Sequence, residues 1–174
     1  MQNQKIVTHD HALFRQVMGS FASGVTIITT EVGSEIRGMT ASAFMSGSLE
    51  PPFCVISVGK RARLHPMLVE SGHFGVSILA KDQERLSSHF AGGPVADIPP
   101  QFIHVGRTPV LTDVCATITA DIAQQHDCGD HTLFVGQILH MEAFDRPPLI
   151  VHEARYASLI YTKERAPEWV ADFW

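Results

Sequence analysis

The sequence is short of cysteine, of positive charge and of long apolar runs, and each shortage excludes a class of protein. Its three cysteines among 174 residues form no C-x-x-C pair, so we expect reduced thiols rather than a disulfide framework. Thirteen lysines and arginines against eighteen acidic residues give a net charge of −5, which does not favour binding to nucleic acid. No run reaches the roughly 18 apolar residues of a membrane span, and the N-terminus lacks the apolar stretch of a signal peptide. We therefore expect a cytoplasmic protein without membrane segments.

Common motifs of catalysis and cofactor binding are missing as well. No G-x-G-x-x-G follows a predicted strand and there is no G-x-S-x-G, which argues against a Rossmann domain and against a hydrolase nucleophile. Four residues carry side chains that bind metals, but their spacing, H-x-C-x-x-H, lacks a second half, and we predict no metal site. They are His126, Cys128, His131 and His140.

Strand patterns outnumber helix patterns along the chain. Residues 24–30 and 36–42 are predicted to form a hairpin, residues 53–59 a central strand and residues 74–80 a further strand. Apolar residues alternate with polar ones over 114–122, which predicts a half-buried antiparallel strand. Its partner, 131–144, is apolar on both faces, and the sequence HDCGD supplies the turn. These patterns predict one domain, residues 1–174, that is mainly β and forms a barrel with short peripheral helices.

Three short helices are predicted around the barrel. Asp10 precedes apolar residues at helical spacing and is expected to cap the first helix. Pro66 and Gly72 are expected to begin and end the second helix, and Asp82 to cap the third. Residues 95–106 show little periodicity, which predicts a long surface loop.

The stretch GMTASAF, residues 38–44, is too rich in small residues and hydroxyls for an ordinary core strand. Gly38 allows close approach to the backbone, two hydroxyls could bind a ligand, and two alanines leave a surface flat enough for a planar group. The same composition suits a strand that packs closely against a helix. The stretch alone does not decide between these interpretations.

The chain resembles the flavin reductase family in five stretches, which occur in the family's order. They are FASGVTIITT, GMTASAFMSGSLEPPFCVISVGK, HPMLVESGHFGVSILAKDQERLSSHFAG, HDCGDHTLFVGQI and PPLIVHEARYASLIY. Together they cover most of residues 12–161, and their common order is more specific than any one of them. The resemblance implies an antiparallel Greek-key split β-barrel, the FMN-binding split barrel.

The resemblance also implies that residues 38–43 lie along a flavin, either FMN or FAD, mainly through backbone groups. Neighbouring segments would extend this wall, hold the phosphate end and close the far side. Together with the basic residues of the phosphate end, which are predicted from their charge, the predicted flavin-binding residues are Gly38, Met39, Thr40, Ala41, Ser42, Ala43, Ser46, Ser48, Ser57, Val58, Gly59, Lys60, Arg61, Arg63, His89 and Phe90.

The phosphate end departs from the family pattern. Relatives commonly carry Ser or Thr ahead of the short helix, whereas this chain reads KRARLHP. The charges of Lys60, Arg61 and Arg63 near a helix N-terminus could hold a phosphate or pyrophosphate instead. The same run could equally be a solvated basic loop, and the departure leaves FMN and FAD undecided.

A second signal is GDH, residues 129–131. The resemblance implies that His131 positions NADH or NADPH against the flavin, with Arg155 and Tyr156 as neighbours. The alternative is a hairpin turn whose glycine and aspartates serve the backbone while His131 begins a strand.

The resemblance implies an NAD(P)H:flavin oxidoreductase that reduces FMN or FAD by hydride transfer and supplies the reduced flavin to a separate monooxygenase. The protein would contribute orientation rather than a nucleophile or a proton shuttle. A homodimer is expected, because the family pairs two barrels and residues 133–139 are apolar on both faces. Two alternatives stay open. One is a flavoprotein that retains its flavin and reduces ferric iron or a quinone, and the other is a flavin-binding or haem-binding protein without turnover.

Overall fold

Strands dominate the computed structural model, which describes residues 10–93 and 99–161. The helices are α1 (His11–Gly19), α2 (Leu64–Ser71) and α3 (Glu84–Phe90). The strands are β1 (Ser23–Gly24), β2 (Thr26–Val32), β3 (Glu35–Ala41), β4 (Phe44–Ser48), β5 (Phe53–Gly59), β6 (His73–Ile78), β7 (Phe102–Val105), β8 (Thr108–Leu111), β9 (Ala116–Cys128), β10 (His131–Ala143), β11 (Ile150–His152) and β12 (Arg155–Ala157). The prediction of a mainly β, antiparallel chain with few short helices is confirmed.

Seven strands form one sheet in the order β3-β2-β6-β9-β10-β5-β4, and every pair in it is antiparallel. The two edge strands, β3 and β4, are consecutive in sequence, and only Ser42 and Ala43 separate them. Such a link spans at most about 11 Å, so the end of β3 lies close to the start of β4, and the curled sheet brings its two edges together at this point. The consecutive strands β5 and β6 lie on opposite sides of the β9–β10 hairpin, which makes the order a Greek key.

The β9–β10 hairpin turns where HDCGD predicts it. Cys128 pairs with His131, which leaves Gly129 and Asp130 as the turn. Gly129 has a φ of 61°, which favours glycine there. Strand β5, predicted to be central, pairs with β10 on one side and with the edge strand β4 on the other.

The alternation in β9 predicts a strand correctly but assigns the wrong residues to solvent. Thr117 and Thr119 are only 3% and 2% exposed. They pair with Ser77 and Gly75 of β6, and β8 covers that face: Ser77 Oγ accepts a hydrogen bond from Leu111 N. Strand β9 is therefore buried on both faces over its first half.

The β7–β8 hairpin contradicts part of the predicted long loop. Residues 102–105 form β7 and pair with β8, while 94–98 lie outside the described residues. Both strands have four residues and β8 contains Pro109, so neither shows the alternation by which a strand is recognised.

Two helix ends also differ from the prediction. Asp10 does cap α1, since its Oδ1 accepts from Ala12 N and Leu13 N at 3.0 Å, and Gly72 ends α2 with a φ of 70°. However, Pro66 is the third residue of α2 rather than the first. Asp82 does not cap α3, because its carboxylate pairs with Arg146 at 2.7 Å.

Two apolar clusters hold the barrel and its surroundings together. The larger one, with Ile56 and Phe134, receives Leu64 and Leu68 from α2. Partly buried apolar side chains, Phe90 of α3 among them, pack against the second cluster. Each fully buried side chain of this size contributes about 1.5 to 3 kcal/mol to stability. Helix α1, by contrast, has no buried residue.

A small sheet of the order β1-β11-β12 lies beside the barrel. It is joined to the barrel through Leu149, whose N–H donates to Leu79 O and whose carbonyl accepts from Val25 N. This sheet carries Arg155 and Tyr156.

Among the described residues, no helix is long and apolar enough to cross a membrane.

Candidate functional site

Two grooves contain many of the predicted site residues. The first, called here the Phe90 groove, has a volume of about 650 Å³ and lies between β3, the start of α2 and the end of α3. Five predicted flavin-binding residues line it: Gly38, Met39, Arg63, His89 and Phe90. Three segments that are distant in sequence therefore meet in one groove.

The second groove, called here the His131 groove, has a volume of about 900 Å³. The barrel contributes Ala43, Ser57 and His131 to it. The opposite wall is α1, with apolar side chains such as Phe14 and Val17.

The backbone at Gly38 is approached by a protein side chain. A Cβ atom on Gly38 would lie 2.6 Å from Cε1 of Phe90 and 3.2 Å from Cγ2 of Ile27. At this position the structure agrees with the alternative interpretation, a strand of small residues packed against a helix. The ring of Phe90 can approach β3 this closely only because Gly38 has no side chain.

Two polar groups of the GMTASAF stretch are engaged inside the fold. The Thr40 hydroxyl donates to Ser87 O at 2.6 Å, and the carbonyl of Ala41 accepts from the Thr26 hydroxyl at 2.7 Å. The hydroxyl of Thr40 is therefore an anchor for α3. The following residue, Ser42, is exposed.

Other predicted flavin-binding residues are divided between surface and core. Ser46 and Ser48 lie exposed on the edge strand β4, and neither lines the Phe90 groove or the His131 groove. The side chain of Val58 is fully buried in the larger apolar cluster. Any contact of Val58 with a ligand in this structure would have to be made by its backbone.

The basic run 60–63 also divides. Lys60 Nζ lies 3.2 Å from Asp127 Oδ1 and donates to Gly129 O at 3.0 Å, so Lys60 is attached to the β9–β10 turn. Arg61 lines neither groove, whereas Arg63 lines the Phe90 groove at the N-terminal cap of α2. A guanidinium group beside a helix N-terminus is suited to an anion.

His131 is exposed in its groove and is oriented by its neighbour in sequence. Its Nδ1 lies 2.8 Å from Asp130 Oδ1. The hydrogen bond from His131, together with the charge of that ring, lowers the pKa of Asp130 below its ordinary value. Gly59 pairs with His131 across the two strands, and a Cβ on Gly59 would lie 3.6 Å from Nε2. The ring thus stands over the end of β5.

The predicted neighbours of His131 lie elsewhere. The Tyr156 hydroxyl donates to Ser87 Oγ of α3 at 3.0 Å, and Arg155 lies 3.6 Å from Glu153. Neither Tyr156 nor Arg155 lines the His131 groove. The structure therefore does not bring these two residues to His131.

The sequence patterns did not reveal that α1 and Cys128 line the same groove as His131. The apolar face of α1 was visible in the sequence, but its position was not. Cys128 is exposed, whereas burial raises the pKa of Cys54 to about 11 and leaves that thiol protonated. Among the described cysteines, Cys128 is the one open to solvent.

Comparison with known proteins gives a consistent result. The flavin reductase like domain matches residues 18–160. An NADH-dependent flavin reductase of a Rhodococcus species is 38% identical over 148 residues, 83% of this chain and 84% of that protein. The reductase component of 4-hydroxyphenylacetate 3-monooxygenase from Thermus thermophilus is 38% identical over 149 residues, 85% of this chain and 96% of that protein. A solved structure, the flavin reductase PheA2 in its native state, has a TM-score of 0.85 at 38% identity and covers 88% of this chain and 100% of its own.

Proposed function

The chain belongs to the flavin reductase family, and on that basis we propose that it is an NADH-dependent flavin reductase that supplies reduced flavin to a separate monooxygenase. The names of the Rhodococcus and Thermus relatives support the nicotinamide donor and the monooxygenase. The observation that carries the proposal is the Phe90 groove, in which three segments of the predicted flavin site meet.

The residues of the Phe90 groove fit a flavin. Its volume, about 650 Å³, lies within the range of small-molecule sites. Phe90 and Met39 offer apolar surface to a ring system, and Arg63 offers a guanidinium group to a phosphate. A planar, partly apolar, anionic ligand matches this combination of side chains.

The protein's task is orientation. A bound flavin supplies the chemistry, since its isoalloxazine accepts a hydride from a nicotinamide. The packing of Phe90 on Gly38 and the anchoring of α3 by Thr40 fix one wall of the groove before a ligand arrives. Such preorganisation lowers the entropic cost of bringing two reactants together.

We assign the nicotinamide to the His131 groove, where Ala43 and Ser57 of the predicted flavin wall also lie, so that the nicotinamide and flavin rings could make the contact that hydride transfer requires. Asp130 holds the imidazole of His131 at 2.8 Å, and the side chains of Phe14 and Val17 face it across the groove. An imidazole beside apolar surface suits a nicotinamide, which carries a carboxamide on an aromatic ring.

We propose a homodimer, for which the support is the exposed apolar surface of β10, where Leu139 and Met141 are 60% and 66% exposed. Light scattering after gel filtration would test this, and a monomeric mass would contradict it. That residues 1–174 form one domain, and that the protein is cytoplasmic, stay predictions.

The test of function is NADH and NADPH oxidation at 340 nm by the purified protein, with and without added FMN, FAD or riboflavin. Turnover that saturates with free flavin is expected. Turnover without added flavin, together with flavin retained through dilution, would favour an enzyme that keeps its cofactor. No turnover with any combination would contradict the proposal.

A further inference from the structure

Tyr156 belongs to a small hydrogen-bond network that is centred on Ser87 and joins three elements. Its hydroxyl donates to Ser87 Oγ at 3.0 Å and lies 3.5 Å from Ser88 Oγ. The carbonyl of Ser87 accepts from the Thr40 hydroxyl at 2.6 Å. Ser87 is only 2% exposed. One buried residue of α3 is thus attached to β12 through its side chain and to β3 through its backbone.

Helix α3 depends on such contacts for its position. It has seven residues, far fewer than the roughly 12 to 15 that an isolated helix needs to be even marginally stable. Its tertiary anchors include the two hydrogen bonds of Ser87 and the apolar packing of Leu86 and Phe90. Loss of one anchor therefore affects the placement of the whole helix.

The residues that follow Ser87 form a wall of the Phe90 groove. His89 and Phe90 line it, with their ring centroids 5.0 Å apart, and Phe90 lies against Gly38. A small rotation of α3 about Ser87 would move both rings relative to β3. Because packed side chains transmit such shifts, a displacement of Ser87 would change the width of the groove.

We propose that Tyr156 is a positioning residue of the flavin site, which acts through Ser87 on the α3 wall of the Phe90 groove, and that it does not contact the nicotinamide. The proposal rests on the proposed function in one respect, the identity of the ligand as a flavin. It replaces the role of neighbour to His131 that the resemblance implied.

The test compares Tyr156→Phe with the matched control Tyr161→Phe. The chain has two tyrosines, and Tyr161 is 81% exposed, so both variants remove one phenolic hydroxyl. The dissociation constants for FMN and FAD are measured by fluorescence titration, and the KM values for flavin and NADH by steady-state kinetics. We expect Tyr156→Phe to weaken flavin binding by roughly threefold to tenfold, as for a lost hydrogen bond, with the KM for NADH unchanged. Tyr161→Phe is expected to match the unmodified protein.

The reciprocal variants test whether the effect passes through Ser87. Ser87→Ala removes the hydroxyl but keeps the carbonyl that Thr40 uses. If the two side chains act as one unit, Tyr156→Phe combined with Ser87→Ala weakens flavin binding no more than either change alone. Additive effects would contradict the route through Ser87.

Several outcomes would overturn the proposal. An unchanged flavin dissociation constant in Tyr156→Phe would do so, as would a rise in the KM for NADH as large as that for flavin. A lower melting temperature with normal flavin binding would reduce Tyr156 to a structural role and also count against it.

The same series separates this proposal from the proposed function. Turnover by the unmodified protein with normal flavin binding in Tyr156→Phe rejects the positioning role alone. Absence of NADH oxidation with flavin binding that still depends on Tyr156 rejects the reductase activity alone. No flavin binding by the unmodified protein rejects both.

Discussion

The Phe90 groove and the His131 groove are built in different ways. The Phe90 groove is fixed by interior contacts: an aromatic ring on a glycine and a short hydrogen bond from Thr40. The His131 groove is formed by a hairpin turn and by α1, which has no buried residue. The first groove belongs to the packed fold, whereas the second lies between surface elements. We infer that the Phe90 groove is the more preorganised of the two grooves.

Gly38→Ala is expected to have the largest effect on the difference between the two grooves. The new Cβ would lie 2.6 Å from the ring of Phe90, and overpacking of this kind typically costs about 1 to 3 kcal/mol. We expect flavin affinity to fall by more than about tenfold, while the KM for NADH changes little. Fluorescence titration with FMN and FAD measures the affinity.

Gly24→Ala is the control for this change, because nothing lies within 4 Å of a Cβ at Gly24. Equal losses of flavin affinity in the two variants would show that the effect is not specific to the groove.

His131→Ala tests the second groove. We expect the KM for NADH to rise by roughly threefold to tenfold, as for the loss of a hydrogen bond, with a much smaller change in the KM for flavin. Steady-state kinetics with each substrate varied in turn gives both constants. His126→Ala, on the same hairpin and outside the groove, is the control. If both KM values rose equally, the assignment of the nicotinamide to this groove would be wrong.

Arg63→Ala separates charge from shape within the Phe90 groove. Removal of the guanidinium group should weaken flavin binding by roughly threefold to tenfold at low salt and by less at high salt, because exposed charges are screened. Binding isotherms at two ionic strengths measure the difference. Arg61→Ala removes the same charge outside the groove and should have the smaller effect. A dissociation constant independent of Arg63 would leave the basic run as a solvated loop.

The smallest expected effect is the pH dependence of stability that comes from His73. It should not change ligand binding in either groove. Burial lowers the pKa of His73 below its ordinary 6.5, with a further contribution from the charge of Arg107, while Asp121 and Glu31 oppose the shift. The unfolded chain therefore binds a proton near pH 6.5 that the folded chain does not. This contribution to stability is complete above pH 6.5 and is lost as pH falls from there toward the lowered pKa.

Thermal unfolding at pH 7.5 and 5.5 tests this expectation. The unmodified protein should melt at a lower temperature at pH 5.5, and His73→Gln, which cannot be protonated, should lose part of that difference. A flavin dissociation constant that follows the same pH dependence would contradict the separation of His73 from the grooves.

Local patterns predicted most strands of the barrel, but not which strand faces are covered by other elements. The hairpin turn at Gly129 and the end of α2 at Gly72 follow from residues within the same turn, so they were predictable. The burial of Thr117 depends on β8 lying over Ser77. Strand β8 itself carries no periodic signal, because it has four residues and includes Pro109.

The candidate site was predicted as a set of segments, and its division into two grooves was not. The resemblance identified Gly38 and Phe90, the charge of the basic run identified Arg63, and the structure places the three together. It also implied that Tyr156 lies near His131, but Tyr156 is held by Ser87, which is 69 positions away in the chain. Contacts over such distances depend on the small sheet beside the barrel, whose strands of two or three residues are too short to show a periodic pattern.

Because α1 is exposed to solvent, its amide hydrogens can report binding at the His131 groove. A nine-residue helix with no buried side chain is near the limit of stability, so its amides should exchange with deuterium early, long before those of β9. A ligand in the His131 groove would also contact α1, which forms one wall of that groove. Deuterium uptake along His11–Gly19 should therefore fall on addition of NADH or on association with a second protein, and the concentration at which it falls would give the affinity of that event without any measurement of turnover.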